Sequence, residues 1–135
     1  ALGLLLLLCC GIAGAQPDWA SRDLRIQIPF AFIVNDHSQP AGTYDFTFSR
    51  KLFDPLMMVG PKGNRERLSV SHTEDTRAIT KLVFHKYGNE HFLAEAYHAA
   101  GGGKILTMCK REKELRKAGP PEIIEVASPA AEAKK

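Results

Sequence analysis

The stretch LRIQIPFAFIV, Leu24 to Val34, alternates apolar and polar positions with a period of two. The apolar residues that would share one face are Leu24, Ile26, Ile28, Phe30, Phe32 and Val34. Because only a β-strand turns this period into one apolar and one polar face, the stretch predicts a strand that is buried on one side. Pro29 has no N–H for a backbone ladder, so it predicts a sheet edge or a bulge at that point.

A second alternating segment, TYDFTFS from Thr43 to Ser49, places Tyr44, Phe46 and Phe48 on one face. Between the two segments, residues 35–42 have the sequence NDHSQPAG, which is rich in residues that favour turns. The two segments therefore predict an antiparallel hairpin with residues 35–42 as its loop.

Shorter strands are predicted in LMMV, Leu56 to Val59, and in RLSVSH, Arg67 to His72. Between them, the glycines and proline of GPKGN, residues 60–64, favour a tight reversal. The polar segment TEDTR at 73–77 predicts a loop. It is followed by KLVFHKYGNEHFLAEAYH, Lys81 to His98, which predicts another hairpin.

The glycine run at 101–103 is predicted to end the β-region. After it, the sequence MCKREKELRKAG has no β-branched residue, and Thr107 before it is a suitable N-cap. Gly119 is a favourable residue just past a helix end. These signals predict a short helix from Met108 to Ala118.

Together these elements predict a mainly β fold, a small antiparallel barrel or sandwich of about six strands with one C-terminal helix. Residues 16–119 are predicted to form a single domain, since a chain of about 120 residues supports one compact core and not two. The tail at 120–135 is rich in proline and alanine and is predicted to be disordered, apart from a short extended piece at Ile123 to Val126.

Residues 1–15, ALGLLLLLCCGIAGA, form an apolar run that ends in small residues. This pattern predicts a secretory signal peptide cleaved after Ala15, and hence an exported protein that is periplasmic or secreted. The run is shorter than the roughly 20 residues that span a bilayer. After cleavage, no stable insertion into a membrane is expected.

The net charge of +3 is far from the basicity of a dedicated nucleic-acid-binding protein, so no nucleic-acid partner is expected. Of the three cysteines only Cys109 follows the predicted cleavage site, which rules out an internal disulfide in the mature chain. Lys110 and Arg111 would lower the pKa of this thiol if it were exposed at a helix start. The basic run at 110–117 predicts either a solvated helical face or contact with an anionic surface of the cell envelope.

The 81–98 hairpin is predicted to turn through a three-residue loop in which Tyr87 faces His91, because this register gives one apolar face. The residues of that apolar face are Leu82, Phe84, Phe92, Ala94 and Ala96. The residues predicted for the opposite, polar face are Val83, His85, Tyr87, His91, Leu93, Glu95 and Tyr97.

Two imidazoles and a carboxylate on this polar face, from His85, His91 and Glu95, are suitable ligands for zinc or another divalent metal. Tyr87 and Tyr97 on the same face predict a surface for a ligand or a protein partner. The simpler interpretation of the whole face is a solvated side of the sheet.

Four segments, IPFAFIV, QPAGTYDF, KLVFHKYGNEHFLAE and KREKEL, follow the apolar N-terminus in this order. They resemble a family of small exported bacterial proteins of unknown function, with patterns close to IPFxFxV, LPAGTY, LVFHRYGxxYFLxE and SRREREL. The resemblance covers about Ile26 to Leu115, with Lys86 where the family has arginine and His91 where it has an aromatic residue. It implies export and a single domain, and it implies no activity, cofactor or partner.

The sequence therefore predicts an exported, non-enzymatic binding or structural module of the periplasm or envelope, with an unknown envelope component or small ligand as its partner. One alternative is a metal-dependent or hydrolytic enzyme that uses the His/Glu cluster of the 81–98 hairpin. Another is a lipocalin-like carrier with a cavity inside a barrel. No catalytic residue is predicted, because Ser69 and Ser71 lie in a strand pattern rather than on a sharp turn before a helix.

Overall fold

The computed structural model describes residues 22–48, 54–74, 80–99 and 102–127. The predicted signal peptide lies outside these ranges. The strands are β1 (Arg22–Ile28), β2 (Phe32–Val34), β3 (His37–Gln39), β4 (Gly42–Phe48), β5 (Leu56–Val59), β6 (Arg65–Leu68), β7 (Val70–Glu74), β8 (Lys81–Tyr87), β9 (Glu90–His98), β10 (Gly102–Leu106) and β11 (Glu122–Ala127). The helix is α1 (Lys110–Ala118). The predicted mainly β class with a C-terminal helix is confirmed.

The strands form two open sheets that pack as a sandwich and do not close into a barrel. One sheet has four strands in the order β1-β4-β5-β6. The other sheet has seven strands. Five of them lie side by side in the order β11-β8-β9-β10-β7, and the remaining two join through β2, which pairs with both β3 and β9. The largest fully buried side chains of the sandwich core are Tyr44, Phe32, Phe46, Phe48, Phe84, Ile26, Ile28, Leu56, Met58, Leu68 and Leu82.

The apolar run from Leu24 to Val34 serves both sheets instead of forming one strand. β1 ends at Ile28, directly before Pro29, and pairs with β4 so that Ile26 lies opposite Tyr44. After the interruption β2 joins the other sheet, where Ile33 pairs in parallel with Phe92 of β9. Pro29 cannot donate a ladder hydrogen bond, which explains why the first strand stops there.

The predicted eight-residue loop between the first two strands is wrong. Residues 37–39 form β3, which pairs with β2 through a tight turn at Asn35 and Asp36. Both turn residues have left-handed φ angles, 53° and 62°. Asparagine and aspartate tolerate this region better than other residues with a side chain, because their short polar groups bond locally.

The β8–β9 hairpin has a different register from the one predicted. Its loop contains two residues, Gly88 and Asn89, so Tyr87 pairs with Glu90. Gly88 has a φ of 63°, a conformation that glycine adopts without a steric cost. As a result His85 pairs with Phe92, and His91 pairs with Lys86.

A bulge in β9 changes the pairing farther from the turn. Near the turn odd-numbered residues of β8 pair with even-numbered residues of β9, and beyond the bulge odd-numbered residues pair with odd-numbered ones. Phe84 pairs with Leu93, but Val83 pairs with Glu95, which leaves Ala94 as the extra residue. Phe84 and Phe92 therefore lie on opposite faces of the sheet, contrary to the prediction. The face that Phe84 shares with Leu93 packs into the sandwich core, and the other face carries His85 and Phe92.

The helix begins at Lys110 with Cys109 at its N-cap, two residues later than predicted, and it ends before Gly119 as expected. The glycine run does not end the β-region, because β10 begins at Gly102. The short extended piece predicted within the tail is confirmed as part of β11, which pairs with β8, so residues 122–127 are ordered in the sheet. The described residues contain no helix that is long and apolar enough to cross a membrane.

Candidate functional site

The outer face of the seven-stranded sheet, which points away from the sandwich core, is crossed by α1. The helix connects β10 to β11, and these strands lie on either side of the β8–β9 pair. The residues of β8 and β9 that the register places on this outer face are Lys81, Val83, His85, Tyr87, Glu90, Phe92, Glu95 and Tyr97. The polar side of the hairpin thus faces a helix rather than bulk solvent alone.

Glu112 is the only buried residue of α1, and its side chain is the main link to the sheet. It is 3% exposed. His85 Nδ1 lies 2.7 Å from Glu112 Oε2, and the Tyr87 hydroxyl donates to the same oxygen at 2.8 Å. Arg116 Nη1 in turn donates to the Tyr87 hydroxyl at 3.4 Å. We refer to His85, Tyr87, Glu112 and Arg116 as the Glu112 cluster.

The hydrogen bonds of the Glu112 cluster define which atoms donate. Two donors converge on one oxygen of Glu112, as expected of an ionised carboxylate, which only accepts. Burial is the main cause that raises the pKa of Tyr87, so this group remains a phenol that donates its proton. Because an ionised carboxylate has no hydrogen to give, Nδ1 of His85 is the donor in its contact with Glu112.

The first turn of α1 is fixed by two further polar contacts. The backbone N–H of Arg111 donates to Asp36 Oδ1 at 2.9 Å, and this bond is the main cause that lowers the pKa of Asp36. The Arg111 guanidinium binds Glu90 through two hydrogen bonds, of 2.6 and 3.1 Å. The helix therefore docks through hydrogen bonds and ion pairs, with Leu115 only half-buried.

A cleft of about 150 Å³ lies between α1 and strands β9 and β10. Its lining residues are His85, Leu93, Ala94, Glu95, Ile105, Leu106, Thr107, Met108, Glu112 and Arg116. Glu95 Oε1 accepts a hydrogen bond of 2.5 Å from the Tyr97 hydroxyl. The walls of the cleft combine apolar side chains with two carboxylates, an imidazole and a guanidinium.

The structure separates the three residues predicted as metal ligands. His85 and Glu95 line the cleft, but His91 lies on the opposite face of the sheet, stacked on Phe30 with ring centroids 4.0 Å apart. Burial is the main cause that lowers the pKa of His91. Within the described ranges, no group of three or more His, Cys, Asp or Glu side chains is placed to hold a metal ion.

The two predicted tyrosines do contact this region, Tyr87 through Glu112 and Tyr97 through Glu95. Glu112 and Arg116 were not predicted as site residues. A signal for Glu112 was present, since Met108, Glu112 and Leu115 are spaced by four and three residues and so share one face of a helix.

Cys109 stands at the N-cap of α1 and is half-buried. Burial is the main cause that raises the pKa of this thiol, and the nearby Asp36 carboxylate adds to it. The environment therefore disfavours the thiolate. This is the opposite of the lowered thiol pKa expected of an exposed cysteine followed by basic residues.

The fold and the site together define a β-sandwich whose outer face carries a helix and a polar cleft beneath it. Comparisons of the chain with protein-family models, with curated proteins and with solved structures found no match.

Proposed function

We propose that the protein is an exported, non-enzymatic binding module of the periplasm or cell envelope and that the cleft beneath α1 is its ligand site. The observation that carries this proposal is the cleft itself, about 150 Å³ in volume and lined by converging polar groups on an apolar wall. A cavity of roughly this size accommodates a benzene ring. Few precisely placed polar groups in a mainly apolar concavity are typical of small-molecule sites.

The Glu112 cluster supports the proposal because it holds one wall of the cleft in place. His85 is fixed by its 2.7 Å contact with Glu112, and Glu112 is fixed by a second donor, Tyr87. Side chains that are already ordered lose little conformational entropy when a ligand binds. The apolar N-terminal run that ends at Ala15 supports export.

The ligand site is tested by titrating benzyl alcohol into the isotope-labelled mature protein and following backbone amide shifts. We expect the largest shifts at residues that line the cleft, such as Ile105 and Leu106. Thr107→Trp places a bulky ring at the exposed lining position and should abolish these shifts. Thr43→Trp, at an exposed position on the other sheet, is the matched control and should preserve them.

Shifts that are absent in the wild-type protein, or that persist unchanged in Thr107→Trp, would contradict the cleft as the ligand site. Export is tested separately by expressing in a bacterium the natural full-length protein that contains this sequence. Sequencing of the N-terminus of the periplasmic or secreted product should begin at Gln16, and retention of the uncleaved chain in the cytoplasm would contradict export.

A further inference from the structure

We infer that the cleft selects a small organic cation, a primary amine or amidine carried on an apolar body no larger than about one aromatic ring. This inference rests on the proposed function, because it names the ligand class of the same cleft. It follows from the hydrogen-bonding character of the polar groups and from their charges.

The carboxylates that line the cleft, Glu95 of β9 and Glu112 of α1, are acceptors. Glu95 and Glu112 are acceptor-only when ionised. Nδ1 of His85 is already engaged by Glu112. A ligand that brings several N–H donors matches the two carboxylates, whereas a carboxylate ligand would face their lone pairs.

The charges that line the cleft favour the same class. Two carboxylates, from Glu95 and Glu112, stand against one guanidinium, from Arg116. Arg116 belongs to the exposed side of the last helical turn, and its Nη1 is directed to the Tyr87 hydroxyl. Glu112 is almost fully buried, so its charge acts in a medium of low effective dielectric constant and is weakly screened. The carboxylates of the lining therefore outnumber its guanidinium by one.

Glu95 is the carboxylate with capacity left for a ligand. Its Oε1 accepts from Tyr97, while a carboxylate has about four lone-pair directions in total. Glu112 Oε2, in contrast, already accepts from two donors. We therefore assign the direct contact with the ligand cation to Glu95 and a supporting electrostatic role to Glu112.

The rest of the lining limits the body of the ligand. Ile105, opposite Glu95 on the outer face, is a branched aliphatic side chain, and Met108 is an unbranched thioether that adapts to irregular shapes. The volume of about 150 Å³ fits one ring and excludes larger fused ring systems. A flat or short alkyl group with one terminal nitrogen meets both conditions.

Three probes of nearly equal size and different charge test the inference: benzylamine, benzyl alcohol and benzoate. Each is titrated into the mature wild-type protein, and dissociation constants are taken from amide shifts of cleft residues. We expect benzylamine to bind about tenfold more tightly than benzyl alcohol, because a charge-assisted hydrogen bond replaces a neutral one, and benzoate to bind most weakly.

Glu95→Gln removes the charge and keeps an acceptor of similar size. We expect it to remove most of the tenfold preference for benzylamine while leaving the affinity for benzyl alcohol unchanged. Glu122→Gln, an exposed carboxylate on β11 outside the cleft, should retain the preference. Since the wild-type comparison needs no variant, the inference stays testable even if Glu95→Gln folds poorly.

The outcomes separate this inference from the proposed function. Equal binding of benzylamine and benzyl alcohol, or tighter binding of benzoate, overturns the selection for a cation and leaves the ligand site intact. A preference for benzylamine that survives in Glu95→Gln overturns the assignment of the contact to Glu95. Failure of all three probes to shift the cleft residues overturns the ligand site and with it the inference.

Discussion

The imidazole Nδ1 of His85 and the carboxylate Oε2 of Glu112 lie 2.7 Å apart and join the sheet to the helix that covers it. Surface helices usually dock through an apolar stripe. Here the one buried side chain of the helix is a carboxylate, which is costly to bury unless its oxygens are hydrogen-bonded. The position of α1 is therefore tied to a small number of directional polar contacts.

The Glu112 cluster predicts that Glu112→Ala destabilises the protein. The variant leaves the donors of His85 and Tyr87 without their acceptor, and a buried unsatisfied group costs about 1 to 3 kcal/mol. Urea denaturation should show this loss in the free energy of unfolding. Glu114→Ala removes an exposed carboxylate from the same helix and should have little effect, so equal losses in the two variants would contradict the role of Glu112.

His91→Phe is expected to stabilise the protein, and more so in acid. Burial and then Lys86 lower the pKa of His91 below its ordinary value of 6.5. The unfolded chain therefore binds the proton more readily, and wild-type stability falls as the pH drops through 6.5. Phenylalanine keeps the stack on Phe30 without a proton to bind. The gain in urea midpoint should be larger at about pH 5 than at about pH 8, and a gain that does not change with pH would refute this explanation.

The two-residue loop of the β8–β9 hairpin predicts a specific cost for a side chain at Gly88. Its φ of 63° is left-handed, a conformation that costs an L-residue roughly 1 to 2 kcal/mol. No neighbouring atom would clash with a Cβ at this position. Gly88→Ala should lower the free energy of unfolding by about this amount. Gly119→Ala is the matched control, because that glycine also has open space and an extended φ of 161°. Equal stabilities of the two variants would contradict the observed loop.

Cys109 is expected to react slowly with thiol reagents. Burial raises the pKa of its thiol, so less of the reactive thiolate is present at neutral pH, and access is restricted as well. Alkylation by iodoacetamide, followed by mass spectrometry, should be clearly slower in the folded protein than in the urea-unfolded chain. The same rate in both states would show that the thiol is exposed.

The alternation in the sequence was sufficient to predict the strand class and the buried face of β1 and β4, because period two has one structural meaning. It did not reveal that the run crosses from one sheet to the other at Pro29. Proline marks where a ladder must stop, but which strand pairs with the next segment depends on long-range packing. The predicted antiparallel pairing of the two alternating segments was nevertheless correct, in a register that the predicted loop did not give.

The register of the second hairpin shows a further limit. The hairpin has a two-residue loop at its turn. Beyond the extra residue Ala94, odd-numbered residues of β8 pair with odd-numbered residues of β9, as the predicted register had them. A bulge at an alanine has no distinctive sequence pattern, so neither the separation of His91 from His85 nor the outward position of Phe92 was predicted. Glu112 was not predicted either, because a carboxylate beside a narrow apolar stripe on a helix is usually a solvated residue at the edge of that stripe.

The connection from β10 through α1 to β11 fastens the covering helix at both ends, because both flanking strands belong to the sheet beneath it. The helix cannot swing open about a single hinge. Its C-terminal end leads into β11, which is held to β8 by a ladder of six paired residues from Glu122 to Ala127. If the cleft is the ligand site proposed above, a guest molecule has to enter and leave along the open flank of this doubly fastened helix.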